Sequence, residues 1–194
     1  MMNTLRQQLQ VALARRVPLE AAAEGRVAAA VLVPFLDRAD EPHVLFTKRT
    51  DDLTEHRGEI CFPGGAADPE DSDLKATALR ELYEELRIPA KNVDLIGRLD
   101  SFRTVVSRYV VTPYVGILND VSDIHANRRE VQEVLEIPFS HFADPKIFRM
   151  ETRVVDHQTV PVYYYRWRSH VIWGLTARIL KNLLDLLEPI RSEP

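Results

Sequence analysis

Apolar residues recur along this chain with a helical period at both ends and in one central stretch, and with strand-like runs between. Leu5, Leu9 and Leu13 return every four residues beside Val11 and Ala12, which predicts an amphipathic helix over residues 3–16. Arg15 and Arg16 suit its last turn, and Pro18 ends it. Residues 27–35 (VAAAVLVPF) are a continuous apolar run and predict a buried strand. A polar turn over 37–42 leads to a returning strand over 43–49 (HVLFTKR), a hairpin pattern. A loop over 50–58 and a short strand over 59–62 lead into a turn at Pro63-Gly64-Gly65. Residues 73–87 predict the central helix, with Ser72 or Asp73 as N-cap and Pro89 as its stop.

Beyond it, residues 93–99 predict a strand and 100–107 a polar loop containing Arg103. Residues 108–118 (RYVVTPYVGIL) predict a strand whose Pro113 implies an edge position or a bulge. Residues 119–129 form a polar connection long enough to move over a site. A short strand over 130–137, a helical turn over 138–143, a second hairpin over 146–155 and 159–168, and a helix over 173–187 complete the chain. Strands around one central helix, closed by a terminal helix, imply an α/β fold with a mixed sheet sandwiched by helices.

Composition narrows the function classes. With 194 residues, 45% hydrophobic and 28% charged, the chain suits one sizeable globular domain. Its net charge of −4 disfavours a nucleic-acid polymer as partner. The aromatic tract Val162-Tyr163-Tyr164-Tyr165-Arg166-Trp167 therefore reads as strand packing before base stacking. One cysteine, Cys61, excludes an intrachain disulfide, and its apolar neighbours Ile60 and Phe62 suit an inert buried thiol. The six histidines show no ligand spacing. No apolar run is long enough to span a bilayer, and Arg6, Gln7, Gln8 and Gln10 interrupt any secretory core, so a cytoplasmic protein with no membrane partner is expected.

The central helix carries the candidate chemistry. On a helix turning about 100° per residue, Glu81 and Glu85 lie one turn apart on one face with Glu84 beside them. Like charges at this spacing repel by a few tenths of a kcal/mol, and a divalent cation reverses the sign. A bare cluster of this kind also fits a solvated acidic face. The sequence from Gly64-Gly65 to Ile88 (GGAADPEDSDLKATALRELYEELRI) resembles the Nudix box, the signature of the Nudix hydrolase family. Arg80-Glu81-Leu82-Tyr83-Glu84-Glu85-Leu86, then Ile88, match its second half. Three features depart from it: one extra residue between Gly65 and Arg80, Ser72 in place of the early Glu with Asp71 and Asp73 as neighbours, and Arg87 in place of the late Gly.

The resemblance implies an α/β/α sandwich and metal-dependent hydrolysis of a pyrophosphate bond with Mg²⁺ or Mn²⁺. It implies Glu81, Glu84, Glu85 and the Gly65 carbonyl as metal ligands. Arg80 would orient a box glutamate, or serve as a structural ion pair in the helix. The general base is Glu84 or Glu85, or a glutamate from a distant loop, for which Glu130, Glu133 and Glu136 are the candidates. Upstream, Leu45-Phe46-Thr47-Lys48-Arg49 and Gly58 to Gly65 resemble the extra motif of the coenzyme A pyrophosphatase branch, with Thr54 where that motif has Arg. Trp173-Gly174-Leu175-Thr176-Ala177 is similar to the same branch. The implied substrate is coenzyme A or acyl-CoA, cleaved to 3′,5′-ADP and 4′-phosphopantetheine. Arg49 and Arg57 are the candidate phosphate-binding cations, with plain surface solvation as the alternative for each. Two other readings stay open: a Nudix hydrolase for ADP-ribose or NADH, and a non-catalytic ligand-sensing module. Residues 1–20 are expected to form a helix packing on the core and 21–194 a single Nudix domain, as a monomer or homodimer.

Overall fold

The computed structural model describes residues 1–23, 25–39, 41–50, 58–104, 107–155 and 158–191. In chain order the elements are α1 (Met2–Ala14), β1 (Val27–Arg38), β2 (Glu41–Arg49), β3 (Ile60–Cys61), β4 (Gly64–Ala66) and α2 (Leu74–Leu86). There follow β5 (Val93–Arg98), β6 (Phe102–Arg103), β7 (Tyr109–Leu118), β8 (Val131–Pro138), β9 (Phe148–Val155), β10 (Gln158–Trp167), β11 (His170–Trp173) and α3 (Gly174–Arg191). Short 3-10 turns sit at Ala90–Asn92, Phe139–Ala143 and Pro145–Ile147.

The main sheet runs β3-β2-β1-β7-β5, with β8 on β2, β4 on β1 and β6 on β7. It is mixed because β1 and β7 pair in parallel while β1–β2, β2–β8 and β5–β7 are antiparallel. The apolar run in β1 is explained by burial on both faces. Ala30, Leu32 and Leu36 meet Ala78, Leu82 and Leu86 of α2 on one side. Val33 and Phe35 meet Leu5, Leu9 and Leu13 of α1 and Leu180, Leu183 and Leu187 of α3 on the other. Successive strand residues point to opposite faces, so a strand with helices on both sides has no polar alternation to show. The molecule is thus an α/β/α sandwich. A second sheet, β11-β10-β9, turns Tyr165 and Ile172 into the same core as α1 and α3.

Several local expectations change. Gly64–Ala66 is not a turn but a short strand zipped to β1, with Ala30 opposite Gly65 and Val31 opposite Gly64. The first hairpin is tighter than its polar residues imply: Asp37 and Arg38 still pair with Pro42 and Glu41. β7 is an interior strand, and Pro113 is tolerated there because it falls between two ladders. The β5 ladder ends at Arg98 opposite Tyr114, and the β6 ladder begins at Phe102 opposite Val111. β6 interrupts the loop expected over 100–107, and β11 was not expected at all; it precedes α3, which starts at Gly174.

Leu82 is fully buried between α2 and the sheet. Leu82→Ala is expected to lower the unfolding free energy by about 2–5 kcal/mol, read from the urea midpoint.

Candidate active site

α2 begins where Asp73 accepts a hydrogen bond from the Ala76 N–H at 2.8 Å, so Asp73 rather than Ser72 is the N-cap. It ends at Arg87, which takes the left-handed conformation (φ 58°, ψ 26°) and donates its N–H to the Tyr83 carbonyl at 2.9 Å. The Arg87 guanidinium lies 5.3 Å from the centre of the Tyr83 ring. An arginine therefore fills the cap position that the box normally gives to glycine.

The apolar stripe of α2 faces the sheet, and its flank lays two carboxylates against β4. Glu81 meets Gly65 so closely that a Cβ there would lie 2.5 Å from Glu81 Oε1. Glu85 is 2% exposed, and its Oε1 faces the Gly64 N–H at 3.4 Å. Its other oxygen, Oε2, is buried without a hydrogen-bond partner among the described residues. Burial pushes the Glu85 carboxyl up to about 7; the Glu81 charge adds to the rise, while the Gly64 N–H and the Arg49 charge oppose it. Burial also raises the Glu81 carboxyl, against the pull of Arg80.

Arg80 spans the rest of the cluster. Its Nη1 donates to Glu81 Oε1 at 2.9 Å and to Glu84 Oε2 at 3.0 Å, while Nη2 donates to the Ala66 carbonyl at 3.0 Å. Nε and Nη2 each reach Asp71 at 3.0 Å. Arg80 holds the Asp71 carboxyl well below the usual carboxylate range, with help from the Asp68 N–H and the Thr77 hydroxyl. Asp71 thus anchors the arginine, one residue before Ser72, which stands where the box pattern has Glu. Glu84 is the outlier of the three glutamates, with its side chain 49% exposed.

The upstream stretch joins the site through strand pairing. Thr47 lies opposite Cys61, Lys48 opposite Ile60, and the Arg49 N–H donates to the Glu59 carbonyl at 3.0 Å. Arg49 is half-buried and its Nε is enclosed without a partner among the described residues. Arg57 lies outside the described residues, as does Thr54. Burial pushes the Cys61 thiol up to about 11, and the Glu85 charge adds to this, so the thiol stays protonated near neutrality.

The three more distant glutamates part company. Glu136 is held by Arg38 at 2.7 and 3.1 Å, and Glu133 lies 3.6 Å from His170. Glu130 acts on the box, where its charge contributes to the raised pKa of Glu81. The connection expected to move over the site is pinned at its end, since the Asn127 N–H donates to the Glu85 carbonyl at 2.7 Å. Sequence reasoning did not single out Asn127; a lone Asn in a polar connection carries no periodic or motif signal.

Among the described residues, no three His, Cys, Asp or Glu side chains are gathered as a ready-made metal cage. Arg80 Nη1 instead bridges Glu81 and Glu84. The site nonetheless fits a hard divalent cation in three respects. Its donors are carboxylate oxygens, one of them is buried and unpartnered, and its Gly65 wall leaves no room for a Cβ.

The NUDIX domain family matches residues 26–158. The chain is 38% identical over 160 residues to the uncharacterized Nudix hydrolase NudL of Photorhabdus laumondii, spanning 82% of this chain and 84% of that protein. It is 41% identical over 158 residues to the protein of the same name from Yersinia enterocolitica, spanning 80% and 78%. A MutT/nudix family protein from Enterococcus faecalis superposes with a TM-score of 0.57 at 17% identity, covering 98% of this chain and 72% of that one. That last likeness concerns the fold alone.

Proposed function

The chain belongs to the NUDIX domain family as a Nudix hydrolase, and from that premise we propose that it hydrolyses the pyrophosphate bond of coenzyme A or its acyl derivatives to 3′,5′-ADP and 4′-phosphopantetheine. Nudix hydrolases generally use divalent metals such as Mg²⁺ or Mn²⁺. The observation that carries the reading is Glu85: a buried carboxylate with one oxygen unpartnered among the described residues, one helical turn from Glu81 and set against a Gly-Gly strand. A cation beside such an acid would offset the cost of its burial and favour its ionised form.

Glu81, Glu85 and Glu84, with the Gly65 carbonyl, would hold the cation. When bound, it would neutralise phosphate charge and acidify a water molecule. Arg80 keeps Glu81 and Glu84 oriented through its Nη1, and Asp71 keeps Arg80 in place. Arg49, whose Nε has no partner among the described residues, offers a cation to the substrate phosphates. Arg57 is assigned the same role from its sequence position. Glu130 takes the proton as water adds to one phosphorus and the bridging P–O bond breaks. The departing phosphate leaves with the electron pair of that bond. Glu84 and Glu85 are the base candidates within the box. Glu84 is tied to a cation, Arg80, and Glu85 is enclosed beneath Gly64, whereas Glu130 is held by a neutral amide and its charge reaches the box, which favours the loop carboxylate.

The coenzyme A assignment is supported by the pairing of residues 47–49 with 59–61. This pairing makes the two separated halves of the upstream motif one structural unit leading directly into Gly64 and Gly65. A panel of CoA, acyl-CoA, dephospho-CoA, ADP-ribose and NADH with Mg²⁺ or Mn²⁺, followed by product analysis, tests it. CoA or acyl-CoA is expected to give the highest kcat/KM and 3′,5′-ADP as product. Preference for ADP-ribose or NADH overturns the substrate, and no metal-dependent turnover of any member overturns the hydrolase reading.

A further inference from the structure

We propose that Asn127 is a positioning residue that ties Glu130 to the backbone of the box helix, so that the loop carboxylate and the box glutamates hold one fixed geometry. This rests on the reading of Glu130 as the proton acceptor. Glu85 lies in the last turn of α2, where carbonyls have no partner within the helix. The Asn127 N–H supplies one, at 2.7 Å from the Glu85 carbonyl. On its other side, the Asn127 carbonyl accepts the N–H groups of Glu130 at 3.0 Å and Val131 at 2.8 Å. Its side-chain oxygen accepts the Arg129 N–H at 3.3 Å. The carboxamide nitrogen then donates to Glu130 Oε1 at 2.8 Å. One residue thus joins the helix, the loop backbone and the carboxylate.

The backbone of Glu130 has little freedom of its own. Its carbonyl accepts the Thr50 N–H at 3.0 Å, next to Arg49, and Val131 is 1% exposed in the core beneath α2. What remains free is the Glu130 side chain, and a charge-assisted bond from Asn127 removes that freedom. Asn127 touches no reacting atom in this account. It acts through Glu130, so its loss is expected to appear in kcat and to leave KM alone.

The test is a double-mutant cycle, run on whichever panel substrate is cleaved. Asn127→Leu removes the carboxamide and keeps the backbone bond to Glu85. Asn127→Asp keeps the shape and faces Glu130 with a second carboxylate, which guards against misfolding of the leucine variant. Both are expected to lower kcat about 10- to 100-fold with KM within about twofold. In a Glu130→Gln background, Asn127→Leu is expected to cause no further loss. Mn²⁺ affinity of the substrate-free protein, measured by calorimetry, is expected to stay within about threefold of the parent.

Additive losses in the cycle, or a larger fall in Mn²⁺ affinity, would show that Asn127 acts through the box helix and would overturn the proposal. If Glu130→Gln turns over like the parent, the role given to Glu130 fails and this inference fails with it. If Glu130→Gln is impaired while both Asn127 variants are not, only the role of Asn127 fails.

Discussion

Glu85→Gln is expected to abolish Mg²⁺-dependent turnover, and without metal the variant is expected to be more stable than the parent above neutral pH. Both outcomes follow from one carboxyl. Burial raises it from the ordinary 4.5 to about 7, so the folded state prefers its protonated form. Between those two values the unfolded chain has released a proton that the fold still holds. Stability therefore falls as pH rises through the window from 4.5 to about 7 and stays lowered above it. Below 4.5 both states are protonated, and the contribution vanishes. The full difference is on the order of 3 kcal/mol. Glutamine removes the charge and with it the slope. Thermal melts in EDTA from pH 4 to 9 check this: the parent should lose stability through the window relative to the variant. Parallel profiles would mean that Glu85 is not enclosed as described. Adding Mg²⁺ should reverse the order once the ion reaches about 1,000 times its Kd, where it stabilises the form that binds it by about 4.1 kcal/mol, and the glutamine variant lacks the charge to hold it.

Alanine at the two adjacent glycines should fail in two different ways. A Cβ on Gly64 would lie 2.4 Å from the Ala30 carbonyl oxygen and 2.6 Å from the Val31 Cα. Both are backbone atoms of a central strand and cannot yield, and the Gly64 φ of +155° is itself unfavourable for an L side chain. Gly64→Ala should therefore cost about 3 kcal/mol or more and lower expression or Tm sharply. At Gly65 the obstructing atoms belong to the Glu81 carboxylate, at 2.5, 2.7 and 2.9 Å. A side chain can move away, so Gly65→Ala should keep most of its stability and lose turnover by displacing Glu81. Denaturation midpoints and metal-dependent rates, measured on both variants, separate the two outcomes. Equal loss of stability at both positions would contradict the geometry.

The sequence displays those parts of this architecture whose causes are local. The leucines of α1 and the continuous run in β1 follow from helical spacing and two-sided burial, and both could be seen without coordinates. The spacing of Glu81, Glu84 and Glu85 placed them on one flank, but not their unequal fates. Glu85 is enclosed because Gly64 is strand-paired to β1, a contact between residues more than thirty positions apart. Glu84 stays half-exposed, tied to the flank of the helix through Arg80. Arg87 shows a local rule overridden by a local contact. The left-handed cap normally belongs to glycine, yet the Tyr83 ring beneath the guanidinium gives an arginine a reason to stay there. Pro113 misled because the sequence shows the missing N–H but not the gap between β5 and β6 where its absence costs little.

The parallel pairing of β1 with β7 also bears on how the molecule is made. Val27 lies opposite Tyr109, so the ladder closes over about eighty intervening residues, α2 among them. Helix α2 can coil as soon as it is synthesised, but the shelf it rests on needs β7 to have emerged. Asn127 and Glu130 emerge later still. Contacts this distant in the chain form slowly, which places completion of the carboxylate cluster among the last events of folding and makes a partly synthesised chain a poor cation trap.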